Sequence, residues 1–438
     1  KDTVLDTFIK DAVTEEVEKE DGTKETVEKV PAKKMAKIVK RPVAINDIHP
    51  LWTKHPNECS DEDYKEFYRK VFHDYKEPLF WIHLNMDYPF NLKGILYFPK
   101  INTEYESIEG TIKLYNNQVF VADNIKEVIP EFLLLLKGVI DCPDLPLNVS
   151  RSALQNDGFV KKISDYITKK VADKLSGMCK TDKENYEKYW DDINPFIKFG
   201  CLKDEKFAEK MNDYIIFKNL EGKYLTLKEC LEENKEKHEN TVFYVTDEVE
   251  QSQYINMFKN EGIDAVILTH NIDQPFITNM ESKNENLKFK RIDADLSDSF
   301  KEETSKDELK DMTEKLSKTF KDALGKENLT VNVEKLKDAS ISSMITLSEE
   351  SRRMQDMMKM YGMAGMDPNM FGAEGQTLVL NANNDLVKYV AEHTDGENTK
   401  IICEQLYDLA MLSHAPLSPE QMTGFIARSN KIMELLAK

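Results

Sequence analysis

The sequence lacks several features that mark whole classes of proteins. Its 438 residues contain no signal peptide and no apolar run near the ~18 residues that a membrane-spanning helix requires. They also contain no G-x-S-x-G motif, no phosphate-binding P-loop, no internal repeat and no low-complexity segment. We therefore expect neither a membrane protein nor an enzyme built on those motifs.

Cysteine is scarce and scattered. No two cysteines have the C-x-x-C spacing, and the histidines form no metal-spaced cluster with them. The cysteines are Cys59, Cys142, Cys179, Cys201, Cys230 and Cys403. We expect free thiols, no metal site and a reducing compartment, the cytoplasm.

Positive charge is in deficit, because 60 Lys and Arg residues face 79 Asp and Glu residues and leave a formal net charge of −19. Such a surface repels nucleic-acid backbones and anionic membranes, so neither is an expected partner. Hydrophobic residues still make up 40% of the chain, which is enough for ordinary cores. The length suits about three domains of ~150 residues each.

Residues 1–43 are rich in charge and poor in core material. Asp21-Gly22 lies between charged, alternating segments of Val13–Val30, which predicts a β-hairpin. Pro31 and the lysines after it indicate a tether. A flexible charged linker would have the same composition, so both interpretations stay open.

Strand and helix patterns alternate after residue 43. β-forming residues predict strands at Gly94–Phe98, Thr111–Leu114 and Val119–Val121. Apolar residues then recur every three or four positions, which predicts an amphipathic helix. These residues are Val160, Ile163, Ile167, Val171, Leu175 and Met178.

Two further strand patterns enclose a helix pattern. Val242–Val245 and Ala265–Leu268 are strand-like, and the helix-like Glu248–Asn260 lies between them, with Gly262 where a helix C-cap would sit. This β-α-β order predicts a parallel sheet.

The last third of the chain follows a polar, acidic stretch at Lys290–Ser305, which we take as a domain boundary. The predicted elements beyond it are a charged helix at about 306–324, strands at Leu329–Val333 and Ile341–Leu347, and several helices. The final helix has a strong start signal, with Ser418 as N-cap, Pro419 at the first helical position and Gln421 placed for a capping box.

Three stretches resemble the ninety-kilodalton heat-shock chaperone family. Ile48–Pro56 followed by Tyr64–Tyr68 is similar to the P-L/I-W-x-K/R-x-P and Y-x-x-F-Y motifs that begin the family's middle domain. Asp144–Ser152 resembles the family's L-P-L-N-x-S-R loop, and Asn260–Ile272 resembles a family strand segment. The likeness covers roughly residues 44–438.

The resemblance implies an α/β, multidomain architecture. Residues 1–43 would be a charged linker or hairpin. Residues 44–290 would be a middle domain of α/β/α sandwich subdomains joined by helices, with a large subdomain at about 44–165 and a helical connector and smaller α/β subdomain at about 166–290. Residues 291–438 would be a small α+β C-terminal domain that ends in a helical dimerisation pair.

The chain also departs from the family pattern. Nothing in it resembles the family's nucleotide-binding domain, and it begins with Lys1, so we expect that an upstream part is missing. It lacks the acidic tail of eukaryotic cytosolic members and a K-D-E-L signal, which favours a bacterial-type member. ATP with Mg²⁺ would belong to the full-length protein, an ATPase, and this chain alone should bind no cofactor and be inactive.

Arg151 is the candidate catalytic residue. In the family, the matching arginine reaches the γ-phosphate of ATP across a domain boundary, as an arginine finger does. Asn148 and Gln155 match neighbouring polar residues of the loop and would position Arg151 or the surroundings of the nucleotide. Taken without the motif, an arginine in a loop is usually a surface charge.

A methionine-rich segment is the candidate client-binding surface. Met354, Met357, Met358 and Tyr361 share one helical face, and Ser348 is placed to cap that helix. Methionine adapts to apolar partners of different shape, and the family has a partly exposed client-binding helix at this place. The alternative is that the stripe packs into the domain's own core.

Apolar stripes on the last two helices form the candidate dimer interface. Its residues are Ile402, Leu406, Leu409, Phe425, Ile432 and Leu436. Such a pair could close a small core within one chain, or two copies could form a four-helix bundle. The family dimerises here, and we expect a homodimer.

These observations predict a chaperone fragment that binds unfolded or partly folded client proteins. In the full-length protein, client remodelling would be coupled to ATP hydrolysis through Arg151. Two other classes stay open: a small-molecule enzyme built on residues 240–280, and a passive dimeric scaffold.

Overall fold

The computed structural model describes most of the chain. The described residues are 2–40, 46–100, 110–124, 128–145, 157–236, 238–294, 300–302, 306–348, 351, 353, 376–413 and 417–437. The chain divides into two compact units, Lys1–Phe67 and Tyr68–Lys438. Among the described residues, no helix combines the length and apolar character that a bilayer crossing demands.

The first unit begins with antiparallel strand pairs. The strands are β1 (Asp2–Lys10), β2 (Val13–Glu18), β3 (Lys24–Val30) and β4 (Lys33–Lys40). Strand β1 pairs with β4, and β2 pairs with β3. Gly22 has a φ of +83° in the turn, and the Asp21 carboxylate accepts the Thr23 N–H at 3.0 Å. The hairpin predicted at Asp21-Gly22 is therefore confirmed.

The same unit contains an aromatic contact after the strands. The rings of Trp52 and Phe67 meet edge to face with centroids 5.7 Å apart, and both side chains are buried. Phe67 belongs to helix α1 (Asp61–Phe72), whose first turn is acidic, as the helix dipole favours.

The second unit begins with a five-stranded sheet in the order β5-β6-β9-β7-β8. The strands are β5 (Phe80–Met86), β6 (Leu92–Phe98), β7 (Ile112–Asn116), β8 (Val119–Asp123) and β9 (Lys137–Asp141). The pair β7–β9 is parallel and the other pairs are antiparallel. The strands expected at Gly94–Phe98, Thr111–Leu114 and Val119–Val121 correspond to β6, β7 and β8.

Helices follow this sheet. They are α2 (Asp157–Thr181), α3 (Lys183–Lys203) and α4 (Glu205–Met211). The six apolar residues that predicted α2 are all buried, from Val160 to Met178, in the same core as the sheet residues Leu84 and Leu96. The period of 3.6 residues therefore identified both the helix and its buried face.

Pro195 interrupts the hydrogen-bond ladder of α3, because proline has no N–H to donate to the carbonyl of Asp191. The side-chain amide of Asn194 donates to that carbonyl at 3.2 Å and to the carbonyl of Trp190 at 3.0 Å. A side-chain hydrogen bond from Asn194 thus replaces the backbone hydrogen bond that Pro195 cannot make to Asp191.

A small parallel sheet comes next, in the order β13-β12-β14. Its elements and the short ones before it are β10 (Ile216–Lys218), β11 (Tyr224–Thr226), α5 (Leu227–Glu233), β12 (Thr241–Val245), α6 (Ser252–Asn260), β13 (Ala265–Ile267), α7 (Asp273–Lys283) and β14 (Lys288–Arg291). Strand β12 pairs in parallel with both neighbours, which confirms the predicted β-α-β unit. Gly262 has a φ of +61° just after α6, as a C-cap glycine should.

The C-terminal part is a three-stranded sheet with helices. Its elements are α8 (Lys306–Leu324), β15 (Thr330–Glu334), β16 (Ser343–Leu347), β17 (Gln376–Asn381), α9 (Asp385–Glu392), α10 (Thr399–Leu412) and α11 (Pro419–Leu436). The sheet order is β15-β17-β16, and β15–β17 is parallel. Ser418 and Gln421 form the predicted capping box, with Pro419 at the first helical position. The mixed α/β architecture is confirmed.

An apolar core joins the small parallel sheet to the C-terminal sheet. Phe258 of α6 packs on Phe300 with ring centroids 4.9 Å apart, in a cluster that also includes Met344 and Val379. The buried Tyr254 hydroxyl donates to the carbonyl of Ile345 at 2.6 Å. The domain boundary near residue 290 stays a prediction, and a common core spans it.

A buried ion pair connects α3 to α7. The side chains of Lys198 and Asp273 are 3% and 6% exposed and are in direct contact. Asp273 also accepts the His270 N–H at 2.9 Å, and Lys198 Nζ lies 5.9 Å from the centre of the Phe276 ring. Desolvation lowers the pKa of His270, which keeps another positive charge away from Lys198.

Replacing Lys198 with Met should destabilise the protein by about 3–5 kcal/mol, because it leaves the Asp273 carboxylate buried without its partner. Chemical denaturation followed by circular dichroism measures this free energy of unfolding. Lys203→Met is the matched control on the same helix. Lys203 pairs with Glu131 at 3.1 Å with both side chains about half exposed, so its loss should cost under ~1 kcal/mol. Equal effects of the two substitutions would contradict the assigned role of Lys198.

Candidate functional site

The predicted catalytic residues Asn148, Arg151 and Gln155 lie outside the described residues. The described start of their loop is held firmly. The Asn116 side chain donates to the carbonyls of Cys142 and Pro143 at 3.1 and 3.2 Å, and the Asp144 carboxylate accepts the Asn91 N–H at 2.7 Å. On the far side, α2 begins at Asp157 and is packed along its length, so both flanks of the loop are anchored.

The predicted client-binding residues Met354, Met357, Met358 and Tyr361 also lie outside the described residues. The approach to them is described in part. Strand β16 is fully buried, and the Ser348 hydroxyl accepts the Ser351 N–H at 3.2 Å. A hydroxyl that accepts from the N–H three residues on has the geometry of an N-cap, as predicted for Ser348.

The predicted dimer-interface residues are described, and they divide into two groups. Leu406 is 1% exposed and packs in the core of its own chain with Leu316 and Phe320 of α8. Ile402 and Phe425 are half-buried against the same core. Within one chain, these three residues therefore pack in or against an internal core, which was the alternative to a dimer interface.

The other interface residues face solvent to a greater extent. Leu409 and Leu436 are exposed, the latter by 83%, and Ile432 is half-buried. Ile426 and Met433 are exposed too, and they lie seven residues apart on one side of α11. Helix α11 contains no fully buried residue. Its apolar side is therefore largely open in the single chain.

A polar cluster that the sequence analysis missed fixes α11 against α10. Arg428 donates from Nη1 to Glu404 at 3.2 Å and from Nε to the Gln405 side chain at 3.1 Å, and it also contacts the Asp408 carboxylate. Gln405 in turn donates to the Ser429 hydroxyl at 3.0 Å. The available signal was the spacing of Glu404 and Asp408, which places two carboxylates on one face of a helix.

The charges of this cluster are sheltered from water. Burial raises the pKa of the Asp408 carboxyl, while the adjacent Arg428 acts in the opposite direction. Next to it, Lys326 donates to the Tyr407 hydroxyl at 2.8 Å and its Nζ lies 4.2 Å from the centre of the same ring. Polar contacts thus orient the helical pair, whereas apolar contacts hold α10 in the core.

Four of the six cysteines are buried thiols. All six cysteines are free. Burial raises the pKa of Cys142, Cys201, Cys230 and Cys403 to about 12, so these thiols stay protonated near neutral pH. Within the described part of the chain, no group of His, Cys, Asp and Glu side chains is arranged to hold a metal ion.

Comparison with known proteins decides the family. The family model described as Hsp90 protein matches residues 5–438, nearly the whole chain. The chain belongs to the Hsp90 family. This confirms the resemblance carried by Ile48–Pro56, Tyr64–Tyr68 and Asp144–Ser152.

Several curated Hsp90-family relatives are similar to the chain. It is 42% identical over 366 residues to the chaperone protein HtpG of Bacteroides thetaiotaomicron, covering 80% of this chain and 53% of that protein. It is 41% identical over 362 residues to HtpG of Porphyromonas gingivalis (79% and 52%) and 27% identical over 407 residues to HtpG of Sulfurimonas denitrificans (89% and 63%). The chain spans about half the length of the first of these relatives.

Proposed function

We propose that this chain binds unfolded or partly folded client proteins as a homodimer, within a cytoplasmic chaperone that is driven by ATP. The observation that carries the proposal is membership of the Hsp90 family, together with relatives that are named chaperone proteins. The open apolar side of α11 supports self-association, since an apolar face of this kind is stabilised by burial against a second copy.

In this proposal, residues 291–438 form the dimerisation domain and residues 44–290 the middle domain. The dimer interface would consist of Leu409, Ile432 and Leu436, joined by Ile426 and Met433. Leu406 would contribute by keeping α10 in place, because its side chain is already buried within its own chain.

ATP would act as a substrate held by a nucleotide-binding domain of the Hsp90 type, with Mg²⁺ on its phosphates. The described residues of this chain supply no metal-binding cluster of their own. The proposed contribution of the chain is the Arg151 guanidinium, which would neutralise charge on the γ-phosphate. The described contacts on either side of this segment, at Asp144 and along α2, support the proposal by anchoring the chain before and after it.

The dimer can be tested on the apolar side of α11. Met433→Glu should raise the dimer dissociation constant at least about tenfold, because a buried apolar side chain contributes ~1.5–3 kcal/mol and two carboxylates would face each other. Light scattering over a dilution series should show the mass falling to that of a monomer at higher concentration than for the unchanged chain.

Ala427→Glu adds the same charge at an exposed position about 120° around α11 from Met433, where it should leave the dimer intact. Substitution is a better test than truncation near residue 395, because truncation there would remove α10 and open the core around Cys403 and Leu406. A Met433→Glu protein that dimerises like the Ala427→Glu control would contradict the proposed interface.

The methionine stripe can be tested with Met357→Asp and Met358→Asp together. If clients bury these side chains, suppression of aggregation of a denatured reporter should weaken, with each methionine losing on the order of 1–3 kcal/mol of contact. If the stripe instead packs in the domain core, the melting temperature should fall strongly because a buried carboxylate is costly. Measuring both quantities separates the two cases. A passive scaffold would not suppress aggregation even without substitution.

Arg151 can be tested in a protein that carries both this chain and a nucleotide-binding domain. Arg151→Ala should leave ATP affinity nearly unchanged and slow hydrolysis severely, with ~10³–10⁵-fold as an upper bound, because the contact would exist mainly in the transition state. Arg151→Lys should restore only part of the hydrolysis rate, since it keeps the positive charge but loses the planar guanidinium that can bind a phosphate with two N–H groups. Asn148→Ala should have a milder effect. Hydrolysis by Arg151→Ala at the rate of the unsubstituted protein would make Arg151 a surface charge or a member of a structural ion pair.

A further inference from the structure

The chain just before the methionine-rich segment is attached to the small parallel sheet by one arginine. Arg353 binds the Glu281 carboxylate of α7 with both terminal nitrogens, Nη1 to Oε2 at 2.6 Å and Nη2 to Oε1 at 3.0 Å. Its Nη2 also donates to the carbonyl of Phe289 in β14 at 3.1 Å. Glu281 Oε1 accepts the Phe289 N–H at 2.6 Å.

These contacts occupy a sheet edge. Strand β14 is the last strand in the order β13-β12-β14, and its even-numbered residues bond to β12, as shown by Lys288 N–H to Asn240 O and Ile292 N–H to Tyr244 O, both 3.0 Å. In a parallel ladder the intervening residue, Phe289, directs its N–H and C=O away from β12. Glu281 and Arg353 bind these two groups as a neighbouring strand would.

The arginine fork is sheltered and geometrically specific. The side chains of Arg353 and Glu281 are 26% and 18% exposed. A bidentate guanidinium–carboxylate pair in such surroundings is stronger and more directional than a solvent-exposed pair of charges. A second ion pair, Lys337 with Glu261 at 2.7 Å, joins the same two parts of the protein, but its lysine side chain is 47% exposed.

A backbone contact lies six residues before Arg353. Leu347, the last residue of β16, forms a parallel bridge with Ala294, which follows β14 in the chain. The chain that leaves β16 is therefore attached to the β14 side at Leu347 and again at Arg353. Met354 comes immediately after the second attachment.

We infer that Arg353 and Glu281 form a latch that holds the chain at Arg353, immediately before the methionine-rich segment, against the edge strand β14. The inference rests on the proposed client-binding function. Arg353 is thus a positioning residue for client binding rather than a contact to the client. A fixed starting point lowers the conformational entropy that client binding must remove, so the latch should strengthen binding.

The latch can be measured directly by hydrogen exchange of the Phe289 amide in the full 438-residue chain. Arg353→Gln should speed exchange at β14 and in β16 about tenfold or more, because it removes charge-assisted hydrogen bonds. Exchange in β5–β9 should stay unchanged. Arg353→Lys should give an intermediate effect, since it keeps the charge and loses the fork.

Client binding is the second measurement, as suppression of reporter aggregation. Arg353→Gln and Glu281→Gln should each weaken suppression several-fold, and the double variant should be no worse than the poorer single variant because both remove one interaction. Lys337→Gln is the matched control and should change neither suppression nor Phe289 exchange.

The possible outcomes are distinct. Unchanged Phe289 exchange in Arg353→Gln would overturn the latch, whatever the chain does to clients. Faster exchange with unchanged suppression would overturn its role in client binding. If the unchanged chain does not suppress aggregation, the proposed function fails, and the exchange experiment still decides whether the latch exists. If Arg353→Gln does not fold, Arg353→Lys and Glu281→Gln provide the same comparison.

Discussion

The buried contact between Lys198 and Asp273 fixes the relation between the helical layer and the small parallel sheet. Helix α3 presents Phe196, Ile197 and Cys201 to apolar cores, and apolar surfaces alone would tolerate small shifts along the helix. The buried ion pair does not tolerate such shifts, because a displaced Lys198 would be a buried charge without a partner. The pair also places Asp273 where it accepts the His270 N–H, so the same carboxylate defines the start of α7.

The same division of roles recurs further along the chain. Apolar clusters supply the bulk of the stabilisation, and a few directional polar contacts decide which arrangement those clusters adopt. Tyr254 anchors α6 to β16, and Arg428 orients α11 against α10. Each of these groups connects segments that are distant in sequence, which makes the junctions between the parts of the second unit specific as well as stable.

Periodicity predicted the elements whose apolar residues lie on one face. Helix α2 is the clearest case, because its stripe meets one core and its exposed positions are mostly lysines and aspartates. The β-α-β unit was predictable for a related reason, since its strands are buried on both sides and flanked by turn residues. Helix α6 begins at Ser252 rather than near Glu248, because the Gln251 side chain accepts the N–H groups of Thr246 and Asp247 and holds that stretch as a turn.

Periodicity could not predict which apolar residues of α10 pack in the core of their own chain and which are left for a partner chain. Leu406 and Leu409 are both leucines of one apolar helix, and only the positions of α8 and the C-terminal sheet make the first buried and the second exposed. The spacing of Glu404 and Asp408 indicated two carboxylates on one face of α10, but it could not identify Arg428, 20 to 24 residues away, as their partner. The contact between Arg353 and Glu281 was out of reach, because these residues are 72 positions apart in the chain. The predictions for Arg151 and for the methionine stripe came from the family motif rather than from spacing.

The backbone hydrogen bond that α3 lacks at Pro195 has a consequence for how this helix bends. A helix bends most easily where its backbone ladder is interrupted, and in α3 that place is the turn before Pro195. The Tyr186 hydroxyl, which donates to the Tyr214 carbonyl at 2.8 Å, holds the segment before this turn, and Lys198 holds the segment after it. The stiffness of α3 is therefore uneven. The turn before Pro195 bends more easily than the segments that Tyr186 and Lys198 attach to the rest of the protein. Thermal bending of the helix should concentrate there. The segments before and after Asn194 would then move as two nearly rigid helices that change their angle at this residue.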